Sequence, residues 1–335
     1  MKIAIVILNW NGISLLKQFL PKVIQYSQDA QVYVADNAST DGSVVFLKKY
    51  FPQIKIIENS ENGGYAKGYN QALNQIEADV YCLLNSDVEV TENWLNPIVE
   101  CFSKDNEIAI VQPKILDHKN RSRFEYAGAA GGFLDKYGFP FCRGRIFDTI
   151  EMDLGQYDNN IDLFWASGAC FFIRSEVFRK IQGFDEDFFA HQEEIDLCWR
   201  VHHLKKRIIY CSDTVVYHVG GATLSVGNPK KVYLNFRNGL FMLIKNLPKR
   251  NCFGKIFIRM IFDGIAGVRF LLQGKLAFTW AIVKAHFSFY QKARYFYKKR
   301  KTISYENYYA LNSIVWQYFF RSRKLFSSLK FINKK

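Results

Sequence analysis

Short apolar runs punctuate the first third of the chain: Ile3–Leu8, Val32–Ala35, Ile54–Ile57, Val80–Leu84 and Ile108–Val111. Runs this short and this uniformly hydrophobic suit strands buried on both faces. Between them the period lengthens. Leu15, Leu16, Phe19, Leu20, Val23 and Ile24 recur as one face of a helix, and Ser43–Tyr50 and Tyr65–Ile76 repeat that spacing. Asn96-Pro97 opens a further helix, with Asn as N-cap and Pro in the first turn. Repeated strand-helix-strand units predict an α/β fold with a mostly parallel, doubly wound sheet, whose ligands bind at the carboxyl ends of its strands. Residues 117–160, with Gly128, Gly131, Gly132, Gly138 and Gly144, read as loops and short hairpins that shape a substrate pocket. Phe164–Ile173 reads as a strand and Glu193–His203 as a helix. From about Val232 the pattern is helical, aromatic and basic, without internal repeats or a low-complexity linker.

The charge changes this picture more than the composition does. The chain has 335 residues, 49% of them apolar, and can bury one or two cores. Its net charge of +14 is the sum of two unlike parts. Residues 229–335 carry 23 Lys/Arg against Asp263 and Glu306, a balance of +21, whereas residues 1–228 carry −7. That split predicts a first region (1–228) and a second (229–335) with different partners. The seven cysteines are odd in number and include no Cys-x-x-Cys pair, which argues against a disulfide framework or structural zinc and for a reduced setting. The apolar run after Met1-Lys2 is too short for a secretion signal, and no charge-free stretch reaches about 20 residues. A location inside the cell, without a membrane span, is the expectation.

Candidate chemistry lies just past the strands. Asn9-Trp10-Asn11-Gly12 follows the first, and Asp36 through Gly42 the second. A carboxylate at a strand tip accepts hydrogen bonds from a nucleobase or ribose; Asp36 and especially Asp41 are also placed to cap the turn and the helix at Ser43. Glu61 through Asn70 bring a glycine turn to a helix start, where a ligand can approach backbone N–H groups. Asp87, in Leu84-Asn85-Ser86-Asp87, is placed either to hold Mg²⁺ or Mn²⁺ against a diphosphate or to close an Asx-turn. Glu193, Glu194 and Asp196 crowd a helix start; crowding and desolvation raise carboxylate pKa values towards those of a general base, while some of the charge complements the helix N-terminus. His218 follows an apolar run and reads as a buried histidine or a ligand.

The order of these pieces resembles the family 2 glycosyltransferases. Ile7 through Gly12, Asp36–Gly42, Asn62-Gly63-Gly64 through Asn70, Leu83 through Asp87, Ser167-Gly168-Ala169-Cys170, Gly183–Phe189, Glu193–Asp196 and His218 carry the likeness over roughly residues 1–240. The nearest likeness is to the bacterial rhamnosyltransferase-like branch, which extends sugars on polyprenyl-diphosphate lipids. The resemblance implies a GT-A fold and an inverting displacement. It divides residues 1–228 into a nucleotide-sugar half (about 1–116) and an acceptor half (about 117–228). It places Asn9, Asp36, Asn62, Gly63, Gly64, Lys67, Asn70, Asn85 and Ser86 in the donor site, with Asp36 on the nucleoside. Trp165, Ser167, Gly168 and Ala169 fall in the acceptor or sugar pocket. Asp87 and His218 fall at a Mn²⁺ or Mg²⁺ ion, and Glu194, with Glu193 in contention, at the catalytic base. Two departures stand out: Asn85-x-Asp87 replaces a pair of aspartates, and Glu replaces the more usual Asp as base.

The implied partners are a nucleoside diphosphate sugar, with rhamnose a candidate, and a lipid-linked saccharide of a cell-surface polysaccharide. In Phe253–Gln273 a helical wheel sets Lys255, Arg259, Arg269 and Gln273 apart from Phe257, Met260, Ile261, Ile265, Val268, Leu271 and Leu272. Tyr290–Lys301 interleaves aromatics with bases. Basic amphipathic helices settle on anionic membranes, so a peripheral position on the inner face of the cell membrane is expected. No recognisable nucleic-acid module accompanies the bases, so nucleic acid is not an expected partner. The rival readings are a sugar-nucleotide nucleotidyltransferase, which wants a basic Gly-rich loop after the first strand, and a catalytically inactive membrane adaptor.

Overall fold

The computed structural model describes residues 1–220, 227–301 and 305–332. The strands β1 (Ile3–Asn9), β2 (Gln31–Asp36), β3 (Lys55–Glu58) and β4 (Val80–Asn85) alternate with α1 (Ile13–Gln25), α2 (Ser43–Tyr50) and α3 (Gly64–Leu73). After β4 come β5 (Val88–Val90), α4 (Asn96–Lys104) and β6 (Ile108–Asp117). A small antiparallel sheet follows, of β7 (Gly132–Leu134), β8 (Pro140–Cys142), β9 (Arg145–Ile146) and β10 (Thr149–Ile150). The chain then re-enters the main sheet through β11 (Ile161–Asp162), β12 (Cys170–Arg174) and, after α5 (Ser175–Lys180) and α6 (Glu193–His203), β13 (Arg207–His218). Three long helices close the order: α7 (Pro229–Asn246), α8 (Cys252–Leu272) and α9 (Leu276–Lys298).

The main sheet runs β11-β13-β6-β12-β4-β1-β2-β3, with β5 beside β13. The neighbours β3-β2-β1-β4 are parallel, as is β6-β13; β12 runs antiparallel between them. Alternation along β1 separates two cores. Ile3, Ile5 and Ile7 pack with Leu16, Leu47 and Phe102 on the face covered by α1, α2 and α4. Ala4 and Val6 share the opposite face with Tyr69, Phe178 and Trp199 from α3, α5 and α6. Leu240, Phe241, Phe289 and Phe296 of α7 and α9 belong to this second core, and the Phe241 and Phe296 rings stack at 3.9 Å. The regions 1–228 and 229–335 therefore share one apolar interior.

Two expectations need correction. The strand expected over residues 164–173 begins only at Cys170. The preceding backbone leaves the ladder, because Ala166 N–H donates to Cys198 Sγ and Ser167 N–H to Gln112 Oε1 (2.8 Å), side-chain acceptors instead of strand carbonyls. In α8, the bases that the wheel sets apart, expected at a membrane surface, do not all lie at the surface. Arg259 is buried, its guanidinium held by Asp263 (2.8 Å) and by the Gly138 carbonyl (3.1 Å), while Phe253, Phe257, Ile261, Ile265, Val268 and Leu272 are exposed. Helix α8 turns a charged pair inward and an apolar stripe outward.

Candidate active site

The carboxyl ends of β1, β2 and β4 bring the first group together. Asn9, fully buried, donates from Nδ2 to Asp36 Oδ1 (2.9 Å), and Ser39 N–H donates to Asp36 Oδ2 (2.8 Å). Asn9 Oδ1 is buried without a partner. Asp41 accepts from the backbone N–H groups of Ile13 (2.8 Å) and Ser43 (3.0 Å), tying the starts of α1 and α2 together; it caps. Asn62 Oδ1 accepts from Gly64 N–H (3.0 Å), and Gly64 has φ +72° with its Cα against the Phe189 carbonyl, where any Cβ would collide. Two expected donor residues are engaged elsewhere. Lys67 pairs with Glu61 at the surface, and the Asn70 amide is consumed by the Phe184 backbone (3.0 and 2.9 Å) and Glu186 (3.0 Å). Asn70 is a tie between α3 and the loop before α6.

Beyond β4, Asp87 and His218 meet, the latter at the end of β13. His218 Nε2 lies 3.1 Å from Asp87 Oδ1, and its Nδ1 lies 3.3 Å from Glu125 Oε1, with all three groups buried. Burial opposes a charged imidazole, but the Glu125 charge and the Asp87 contact outweigh it and push the His218 pKa up to about 10. Burial likewise opposes ionised Asp87, and His218 reverses this, holding the carboxyl below its usual range. Glu125 gave no signal in the sequence: it is a lone acid in a glycine-rich stretch, brought here by its backbone pairing with Ile115. Gly220, also in this corner, backs onto Glu125; Gly221 lies outside the described residues.

A divalent ion entering this corner would have to displace the proton that His218 Nε2 shares with Asp87 Oδ1; the separation of the two atoms suits it. Neighbouring ligands of an octahedral ion at ~2.1 Å stand about 3 Å apart, and Asp87 Oδ1 and His218 Nε2 are 3.1 Å apart. Glu125 would then orient the imidazole from its far side, as carboxylates behind metal-bound histidines do. Among the described residues no cluster of three His, Cys, Asp or Glu side chains forms a metal cage. Phosphate oxygens and water would have to complete the coordination, the usual arrangement for Mg²⁺.

The third group is the start of α6. Asp196 is fully buried and saturated: Arg200 Nε and Lys245 Nζ donate to Oδ2 (2.8 Å each) and Asn246 Nδ2 to Oδ1 (2.7 Å). Burial would raise its pKa, yet Lys245 and Arg200 hold it far below the carboxylate range. It is a structural anion. Glu193 and Glu194 differ in kind, since each has a buried Oε2 with no partner. Burial, then the Glu194 charge, raises Glu193 strongly, and burial pushes Glu194 up to about 7. The Tyr65 hydroxyl senses both glutamates and donates to the Gly168 carbonyl (2.8 Å), so the 167–169 turn adjoins them. Ala169 O accepts from Asn85 N–H (2.9 Å), which links this turn to the β4 tip. Ser167 is buried beneath the turn. Trp165 does not face this space: its indole N–H donates to Phe133 O (3.0 Å) and its ring packs on Gly132.

This arrangement sets strand-tip Asn and Asp beside a paired carboxylate–histidine corner and two glutamates that each keep an unpartnered buried oxygen, which suits polar group transfer from a nucleotide. The model for "Glycosyl transferase family 2" matches residues 4–182, more than half of the chain. The chain belongs to that family. It is a glycosyltransferase with a GT-A fold, and the matched stretch holds Asp36 and Asp87 while Glu193, Glu194 and His218 lie beyond it. Among curated proteins, it is 22% identical over 218 residues to the N-acetylglucosaminyl-diphospho-decaprenol L-rhamnosyltransferase of Mycobacterium tuberculosis, covering 61% of this chain and 71% of that one. It is 24% identical over 291 residues to the low-salt glycan biosynthesis hexosyltransferase Agl10 of Haloferax volcanii, covering 82% and 87%. Among solved structures, TarS 1–349 of S. aureus with UDP-GlcNAc superposes at a TM-score of 0.57 and 16% identity, over 88% of this chain and 81% of that chain.

Proposed function

We propose that this glycosyltransferase moves one sugar, with inversion, from a nucleoside diphosphate to a hydroxyl of a lipid-linked saccharide at the inner membrane face, in cell-surface polysaccharide synthesis. The observation that carries the reading is the contrast at the start of α6. Three acids lie within four residues; Asp196 is locked by cations, while Glu193 and Glu194 each keep one buried oxygen without a partner and are raised towards neutrality by burial. The M. tuberculosis relative's name supplies the lipid-linked acceptor and makes rhamnose the first donor sugar to try.

In this mechanism Asp36 and Asn9 hold the nucleoside, and the 62–64 turn and the Asn85-Ser86 tip border the diphosphate. Asp87 and His218 would hold Mn²⁺ or Mg²⁺, which when bound stabilises the charge gathering on a leaving diphosphate. Glu194 takes the acceptor hydroxyl proton as the new oxygen–C1 bond forms. The C1–phosphate bond breaks on the opposite face, and its electron pair leaves with the nucleoside diphosphate. No covalent enzyme intermediate is needed, so one base suffices. Residues 1–228 supply this chemistry and residues 229–335 the membrane contact. The contact in this reading is peripheral; no described helix is long and apolar enough to cross a membrane. A screen of nucleoside diphosphate rhamnose, UDP-GlcNAc and other nucleotide sugars against N-acetylglucosaminyl-diphospho-polyprenol should show one productive donor. Absence of transfer from every donor, with the protein folded and Mn²⁺ present, would sink the reading.

A further inference from the structure

The segment between Phe188 and Gln192 leads into Glu193 through a backbone that L residues rarely adopt. Phe189 has φ +64° and ψ −62°, and Ala190 N–H donates to the Phe188 carbonyl at 2.8 Å. That is a γ-turn of the rare, strained hand. His191 (φ +70°) and Gln192 (φ +72°) follow, so three non-glycine residues of four lie at positive φ. Each such residue is strained and persists only where its surroundings over-determine it.

The surroundings are supplied by α7. Asn238, fully buried, donates from Nδ2 towards three carbonyls at once: Phe188 (2.9 Å), Ala190 (2.9 Å) and His191 (2.7 Å). Its Oδ1 accepts from Arg237 Nε (2.9 Å), which fixes the amide with its donor face on the loop. Arg237 Nη2 reaches the carbonyls of Asp187 (3.3 Å) and Phe188 (3.2 Å). The remaining carbonyls are taken as well: Phe189 O by Tyr65 N–H of α3 (2.8 Å) and Gln192 O by the first turn of α6. Just upstream, Lys245 and Lys299 bind Asp185 (2.8 and 2.7 Å), and Tyr295 donates to Asp187 (2.8 Å). Every carbonyl of the loop is assigned, and α7 takes most of them.

We infer that Asn238, backed by Arg237, is a positioning residue: it holds the strained 188–192 loop so that the glutamates at the head of α6 face the acceptor. The inference rests on Glu193 or Glu194 being the base, and it makes part of the basic C-terminal region a component of the catalytic site. Asn238→Asp is the diagnostic variant. It preserves volume but turns a carboxylate oxygen towards three carbonyls. With UDP-GlcNAc or nucleoside diphosphate rhamnose, whichever turns over in the screen above, kcat should fall about 10²-fold, as ångström-scale misplacement of a reacting group does. Donor KM should rise far less than kcat falls, since Asp36 and Asp87 are untouched and the loop reaches the donor site only through the Phe189 carbonyl behind the 62–64 turn. Hydrogen exchange should quicken over residues 188–192 while β1–β4 stay protected. If Asn238→Asp does not fold, Arg237→Gln should show the same split with a drop of about tenfold. A folded variant with unchanged kcat, a rise in KM alone, or exchange that quickens across the sheet overturns the inference. Glu193→Gln and Glu194→Gln, run alongside, separate the two claims. If either is slow and the α7 variants are normal, only the positioning role falls; if neither is slow, the base reading falls and takes the positioning role with it.

Discussion

At the scale of single residues, partners rather than position in the motif divide the acids of α6. Asp196 has three donors, and Glu193 and Glu194 keep a buried oxygen with none. Replacing Glu194 by Gln should therefore lower kcat by ~10²-fold or more with little change in donor affinity, and Glu193→Gln should cost less; steady-state kinetics on both variants checks the ranking. The pH dependence follows from the same burial. A base with its pKa near 7 is active only once deprotonated, so kcat should fall as pH drops below about 7, and Glu194→Gln should lose that limb. Stability runs the other way. The folded state binds this proton more tightly than an ordinary glutamate at 4.5, so its contribution is present below pH 4.5 and is lost as pH rises through 7. At the other corner, Asp87→Asn should abolish Mn²⁺-dependent turnover, and isothermal titration should show weaker Mn²⁺ binding with donor present. The strand-tip acids were legible because a carboxylate after a short apolar run is a local pattern. Glu125 was not, since only the pairing of its backbone with β6 brings it behind His218.

At the scale of elements, short-range periodicity was legible and its outward sense was not. The patterns over Ser43–Tyr50 and Glu193–His203 coincide with α2, which buries one face through Ser43 and Leu47, and with α6, which is buried nearly all round. For α8 the same arithmetic placed Arg259 on a polar side, although the structure buries it beside Asp263 and His286. A helical wheel separates faces without saying which one meets the protein. The expected consequence is measurable. Arg259→Met leaves fully buried Asp263 without its main partner and should cost about 3–5 kcal/mol in urea unfolding, whereas the double change Arg259→Met/Asp263→Leu should recover much of the loss. Additive losses in the two single variants would mean that the pair does not act as a unit.

At the scale of the molecule, the exposed stripe on α8 and the +21 balance of residues 229–335 have to be explained together. Water gains nothing from Phe253, Phe257, Ile261, Ile265, Val268 and Leu272 standing outward on one helix, and the bases around them, among them Arg269, Lys275 and Lys284, would keep a second copy of the same face at a distance. An anionic bilayer satisfies both features, because headgroups attract Lys and Arg while the stripe enters the acyl boundary. The inner core argues the same way from the other side: α7 and α9 pack into the sheet domain, so a membrane held by α8 would hold the base loop at a fixed height above the lipid acceptor. The two attractions respond differently to salt. Screening shortens to about 3 Å at 1 M and weakens the charge contribution, and the apolar contribution survives. The protein should therefore sediment with anionic liposomes, release partly at high salt, and bind neutral liposomes less. Ile261→Asp/Ile265→Asp should abolish the salt-resistant part of sedimentation and weaken the low-salt part, while nucleotide-sugar binding persists, since both side chains lie on the exposed stripe, outside the described donor residues. Equal partitioning onto neutral and anionic vesicles would remove the electrostatic part. Undiminished binding by the double aspartate variant would remove α8 as the contact and leave the glycosyltransferase chemistry standing.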